Sequence, residues 1–142
     1  MKGSKDILSS VLKTTQMGQV GIRCVLKSAN QPGLRNALRS QLAEYDEIER
    51  EAHTIAAARG WELEELDPAV KGMSSVMTRA KLSYGNVDSK IAAMMIQGNT
   101  KGMVKSLKNL HQYKSNDSQI STLSQKLLDC ETANIKQMQG FV

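Results

Sequence analysis

Apolar residues recur along this chain at three- and four-residue spacings, and polar clusters mark where each run stops. Ile7, Leu8, Val11, Leu12, Gly18, Ile22 and Val25 trace a 3.6-period stripe, which predicts a helix from about Ser4, as its N-cap, to about Ala29. The turn "ANQPGL" follows, with Pro32 suited to the first turn of a second helix carrying Leu34, Leu38, Leu42, Tyr45, Ile48, Ala52, Ile55 and Ala56. That helix stops at Gly60, which suits a left-handed terminal residue, with Trp61 folding back over the last turn. Asp67 and Pro68 start a third helix through Val70, Met73, Met77, Ala80 and Tyr84, closed by Gly85. A fourth runs from near Asp88 to about Tyr113. A fifth follows "KSNDS" with Ile120, Leu123, Leu127, Ile135 and Met138 as its stripe. No segment alternates with period two, so no sheet is expected.

Connection lengths restrict how these helices assemble. Short turns join the first helix to the second and the fourth to the fifth, making two antiparallel hairpins. Residues 60–87 lie between the hairpins. A helix of about 17 residues there spans ~25 Å, and ~10 extended residues add ~30 Å, enough to carry the chain back to its starting end. The prediction is a single all-α domain over 1–142, a four-helix bundle whose long crossover carries a short fifth helix. A five-helix up-and-down array is the alternative.

Within that plan, "QLAEYDEIEREA" of the second helix and "IAAMMIQGNTKGM" of the fourth resemble the ferritin-like superfamily, and more narrowly its small bundle proteins of unknown function. The resemblance implies a ferritin-like bundle over nearly the whole chain. Di-iron members hold two metals with inward carboxylates from four helices and a Glu-x-x-His pair on two of them. This sequence departs from the pattern. No Asp or Glu occurs from Ile7 to Ala43, Arg50 stands three residues before His53, and Lys108 stands three before His111. No catalytic residue and no cofactor are therefore expected. The alternative is a reduced site for a single transition metal ion, with Glu44, Glu51, His111 and Glu131 as candidate ligands. Glu44 and Glu51 flank the second helix's apolar stripe. A stripe passing through Cys130 and Asn134 puts Glu131 at the boundary of the core, and Glu49 four residues before His53 accounts for that histidine.

The stretch 91–103 begins as an apolar face and then inserts Gln97, Gly98, Asn99 and Thr100. Gly98 and Gly102 face the same way, a small-xxx-small surface on which a neighbouring backbone can approach closely, at ~1 kcal/mol per glycine in helix propensity. Gly18 and Gly21 make a similar shallow place on the first helix. If the two notches meet, glycines and methionines fill the layer where ferritin-like relatives keep metals, and no room is left for a cofactor. Asn99 then needs a partner, with Thr14, Thr15 and Gln41 as candidates. Alternatively the glycines leave a pocket for a small ligand, or face a second subunit.

Composition narrows the partners. The longest apolar run, Ile91 to Ile96, falls well short of the ~20 residues of a membrane span. The N-terminus has no apolar h-region, so a cytoplasmic location is expected. Cys24 and Cys130 have no metal-ligand spacing and read as reduced thiols. The net charge of +5 is distributed in blocks: residues 1–43 carry seven positive and one negative, 44–67 two and nine, and 68–114 eight and one. Lys90, Lys101, Lys105 and Lys108 form a basic ridge. One Trp, three Tyr and one Phe give no aromatic interleaving, which argues against nucleic acid. The ridge is better matched to the acidic segment 44–51, within one chain or between copies. The expected role is a non-catalytic interaction or assembly module, homodimeric or bound to a protein partner; the alternative is a metal-binding or redox protein.

Overall fold

The computed structural model describes residues 3–70, 72, 85–113 and 116–142. Four long helices occur among them, α1 (Ser4–Leu26), α2 (Pro32–Arg59), α3 (Val87–Gln112) and α4 (Ser118–Gln139), and no β-sheet. Residues 68–70 are helical, and Asp67 begins that turn by accepting the Ala69 N–H at 2.9 Å on its side chain. Met73, Met77, Ala80 and Tyr84, the rest of the stripe expected for the crossover helix, lie outside the described residues.

Helix ends follow local chemistry, with two corrections. The N-cap of α1 is Gly3, not Ser4: the Gly3 N–H donates to the Asp6 carboxylate at 3.2 Å. The Ser4 hydroxyl pairs instead with that of Tyr113, 2.8 Å away. The helix ends at Leu26 and not near Ala29, because the Asn30 and Gln31 N–H groups donate to the two oxygens of Asp88, at 2.8 and 2.9 Å, and leave the helical ladder. Gly60 adopts φ 65° and ψ 29°, and the Trp61 N–H returns to the Ala56 carbonyl at 2.9 Å. The Arg59 guanidinium lies 5.0 Å from the centre of the Trp61 ring. Asn86 caps α3 and Asp117 caps α4.

Hydrogen bonds between helices fix the direction of each. Asp88 at the start of α3 binds the α1–α2 turn, while Asn109 near its end donates to Ser10 near the start of α1 at 2.7 Å. α3 is therefore antiparallel to α1 and runs the same way as α2. Asp117 at the start of α4 meets Arg59 at the end of α2, and Gln137 near the end of α4 meets Gln41 near the start of α2. The result is two antiparallel hairpins joined by a connection that returns from one end of the bundle to the other. The faces of α1 against α2 and of α3 against α4 are the most extensive; α1 also packs on α3 and α4, and α2 on α4. Leu8, Leu12, Ile22, Leu34, Leu38, Ile48, Ile91, Ile120, Leu127 and Met138 fill the interior. Among the described residues no helix is long and apolar enough to cross a membrane.

The acidic segment is used largely within the chain. Asp46 faces Arg23 at 3.6 Å, and Glu47 and Glu51 share Lys126 at 3.1 and 3.2 Å. Its described ionic partners come from α1 and α4 and not from the lysine ridge of α3. His53 lies 3.7 Å from Glu65 in the connection, in place of the pairing with Glu49 expected from sequence.

Candidate functional site

The middle of the bundle holds polar groups where its apolar stripes predict hydrocarbon. Tyr45 projects from α2, and its ring passes beneath α1 at Gly18, where an added Cβ would lie 2.5 Å from a ring carbon. That clearance lets the hydroxyl reach across the bundle and donate to Asn99 Oδ1 on α3 at 2.8 Å. The Asn99 amide donates to the Met95 carbonyl at 2.7 Å, and Asn134 on α4 donates to the Tyr45 hydroxyl and to Asn99 Oδ1, each at 3.4 Å. Asn99 is thus buried and partnered, but by Tyr45 and Asn134, not by Thr14, Thr15 or Gln41. Both partners sit on apolar stripes, so periodicity alone reads Tyr45 as core; the signal available was a polar residue on each of three stripes at the same bundle level.

Glu131 lies beside this network. It is 2 % exposed, so the expectation that it sits at the core boundary is corrected: α4 turns Cys130, Glu131 and Asn134 all inward. Its carboxylate rests against Gly102, where a Cβ would come within 2.8 Å. Burial pushes its pKa up to about 8, with the Tyr45 hydroxyl drawing it partly back. Glu131 Oε2 itself has no hydrogen-bond partner among the described residues. Gln41, also 2 % exposed, donates from its amide to Gln137 at 2.8 Å while its own Oε1 has none. Burial also raises the Tyr45 hydroxyl and Cys130 thiol above their ordinary ranges, and the thiol meets Glu44 at 3.2 Å.

The glycine notches do not close on each other. A pocket of about 520 Å³ lies between α1 and α3, reaching in to Gln41, Tyr45, Asn99 and Glu131. Gly18, Gly21, Gly98 and Gly102 all line it. Gly18 and Gly102 make room for side chains from other helices, a Cβ added at Gly21 would lie 3.5 Å from the Met95 methyl group, and a Cβ at Gly98 would meet nothing within 4 Å. The layer expected to have no free volume has some, because Tyr45 and Glu131, and not the opposite backbone, occupy the space that the glycines vacate. Met17, Met94, Met95, Val20 and Leu66 give apolar walls, with Lys13, Lys101 and Lys105 also lining the pocket.

The other candidate ligands are dispersed. Glu44 is exposed and paired with Cys130, Glu51 is paired with Lys126, and His111 is exposed in the last turn of α3. Among the described residues no three His, Cys, Asp or Glu side chains converge as a metal site would require. The middle layer offers one carboxyl beside two amides and a phenol, a donor set that does not fit a two-metal carboxylate centre.

Fold and pocket together define an all-helical bundle with a cavity in one inter-hairpin seam. A solved structure of similar fold is the crystal structure of a DUF305 fragment from Deinococcus radiodurans, with a TM-score of 0.75 and 16 % identity over 96 % of this chain and 93 % of that one. No family model matches the sequence, and no curated protein does.

Proposed function

We propose that the protein is a cytoplasmic bundle of ferritin-like connectivity, without a catalytic centre of its own, that acts as an interaction module by binding a small ligand. Two hairpins with a crossover that leaves α2 and α3 parallel support the ferritin-like reading. The observation that carries the binding role is the pocket between α1 and α3, whose size is that of ordinary ligand sites and whose lining combines methionine and aliphatic walls with the Tyr45, Asn99 and Glu131 side chains. Assembly as a homodimer belongs to the same proposal, since closed two-fold dimers are the commonest oligomers and the exposed α3 lysines have no described acidic partner in the chain. The metal-binding alternative rests on Glu131 and the adjacent Cys130–Glu44 pair.

Native mass spectrometry of untagged protein from cells supplied with iron, manganese and zinc tests all of this in one spectrum. A dimer mass with one bound organic species per chain is the expected result. Stoichiometric metal that is lost on Glu131→Ala would overturn the non-catalytic reading, and a monomer mass would remove the dimer.

A further inference from the structure

The face on which the α1–α3 seam opens has two edges of opposite charge. One edge is α3. Lys101, Lys105 and Lys108 fall at i, i+4 and i+7 along one side of that helix, all exposed, and no Asp or Glu occurs from Ser89 to Gln112. The other edge is the chain that follows α2, laid against α1. Glu64 meets Lys13 at 2.7 Å, and the Leu66 N–H donates to Gln16 Oε1 at 2.8 Å. Lys13 and Leu66 line the pocket from this side, as Lys101 and Lys105 do from the other. Glu62, Glu64, Glu65 and Asp67 are all exposed along this edge. The two edges stand at one level of the bundle. Ser10 is bonded to Asn109, and Lys13 lies three residues on from Ser10 while Lys105 lies four back from Asn109 in the antiparallel helix.

These charges are left over after the chain has paired its own. Across the α2–α4 seam Lys126 is matched to Glu47 and Glu51, and Arg59 to Asp117. At the α1–α3 face Lys101, Lys105, Lys108 and Glu62 have no described ionic partner, and the acidic edge sets its carboxylates against one lysine, Lys13, and one histidine, His53. Between the edges Met17, 44 % exposed, and the half-buried Leu66 present apolar surface, the kind that adapts to a partner. A partner for this face therefore carries an acidic strip, an apolar middle and a basic strip in the reverse lateral order. A surface of a single sign, whether nucleic acid or anionic lipid, matches one edge and is repelled by the other.

Resting on the homodimer reading proposed above, we infer that two copies of the chain pair through this face, about a two-fold axis parallel to the helices, so that Lys101 and Lys105 of each lie against Glu62 and Glu64 of the other. Turning a copy about that axis exchanges its two edges and keeps their level, so one contact generates its equivalent, as an isologous interface requires. The pocket opens on the same face, so each copy covers the mouth of the other's pocket.

Sedimentation over a concentration series tests this surface, with one variant for each edge. Lys101→Glu/Lys105→Glu makes both edges acidic, and Glu62→Lys/Glu64→Lys makes both basic. All four positions are exposed, so the helical spectrum and melting temperature are expected to stay near those of the wild type. Each variant alone is expected to dissociate at least about tenfold more readily than the wild type, because exposed pairs at two equivalent contacts turn from attraction to repulsion. An equimolar mixture of the two variants is expected to restore a dimer, since each offers the sign that the other lacks. Native mass spectrometry with one variant isotope-labelled identifies that dimer as the mixed one. A wild-type monomer overturns both this surface and the dimer reading. A wild-type dimer that both variants retain overturns the surface and leaves the dimer standing. Variants that are monomeric alone and remain so when mixed overturn the pairing of these two edges, and a ring of three or more copies overturns the two-fold geometry.

Discussion

The two seams between the hairpins are built differently. Along α2 and α4, Arg59 meets Asp117, Lys126 meets Glu47 and Glu51, Cys130 meets Glu44, and Gln41 meets Gln137, a ladder from one end of the bundle to the other. Along α1 and α3 the polar links cluster at the ends. Ser4–Tyr113 and Ser10–Asn109 close one end, and Asp88 closes the other by holding Asn30 and Gln31. The centre of that seam is parted, and the pocket lies there. An opening in a bundle need not mean a loose bundle: closed ends hold the helices at a set separation, and small residues between them leave volume that packing would otherwise remove.

If the parted seam depends on glycines in different roles, the same substitution must act with opposite signs along it. Gly18→Ala should give the largest loss, about 3 kcal/mol, because its Cβ drives into the Tyr45 ring and displaces the hydroxyl from Asn99. Guanidinium denaturation measures it, and a loss under ~0.5 kcal/mol would mean that the ring moves freely and the network is not fixed.

Glu131→Gln sharpens the comparison through pH. The folded protein holds the Glu131 proton up to about pH 8, while the unfolded chain releases it near 4.5. Between these values the folded state binds more protons, so stability falls as pH rises and levels off above 8. The wild type should lose on the order of 2 kcal/mol relative to Glu131→Gln between pH 5 and 8.5, discounted from the full shift because the pocket admits water. Parallel stability profiles for the two proteins would place Glu131 in water and not in the bundle's interior.

Gly98→Ala should stabilise by up to ~1 kcal/mol, since alanine is the better helix former and the added methyl touches nothing. A destabilised variant would show that the seam is closed at this level. The smallest effect is expected in the other seam. Lys126→Ala removes a partly exposed pair of contacts to Glu47 and Glu51 and should cost about 0.5 kcal/mol, reduced further by salt, because several neighbouring links hold the same interface.

Much of the fold was legible in the chain. The stripes of α1, α2, α3 and α4 and the left-handed Gly60 were readable because helix period depends on local backbone geometry, and the connection's length permitted a return crossing; the hydrogen bonds of Asp88 and Asn109 chose it over an up-and-down array. That Gly18, Gly21, Gly98, Asn99 and Gly102 interrupt apolar stripes was also readable, and all five line the pocket. What fills the space beside them was not. Whether Gly18 faces a backbone or the ring of Tyr45 depends on how far a side chain from α2 reaches across the bundle, and whether Glu131 is inside depends on the rotation of α4 by a fraction of a turn.

The sequence by itself determined four helices and their order, because these follow from periodicity and caps, and it narrowed their directions to a return crossing or an up-and-down array. The tertiary structure alone decided that one seam closes and the other parts. That difference comes from which side chains share a level across four helices, a relation between residues dozens of positions apart that no local pattern encodes.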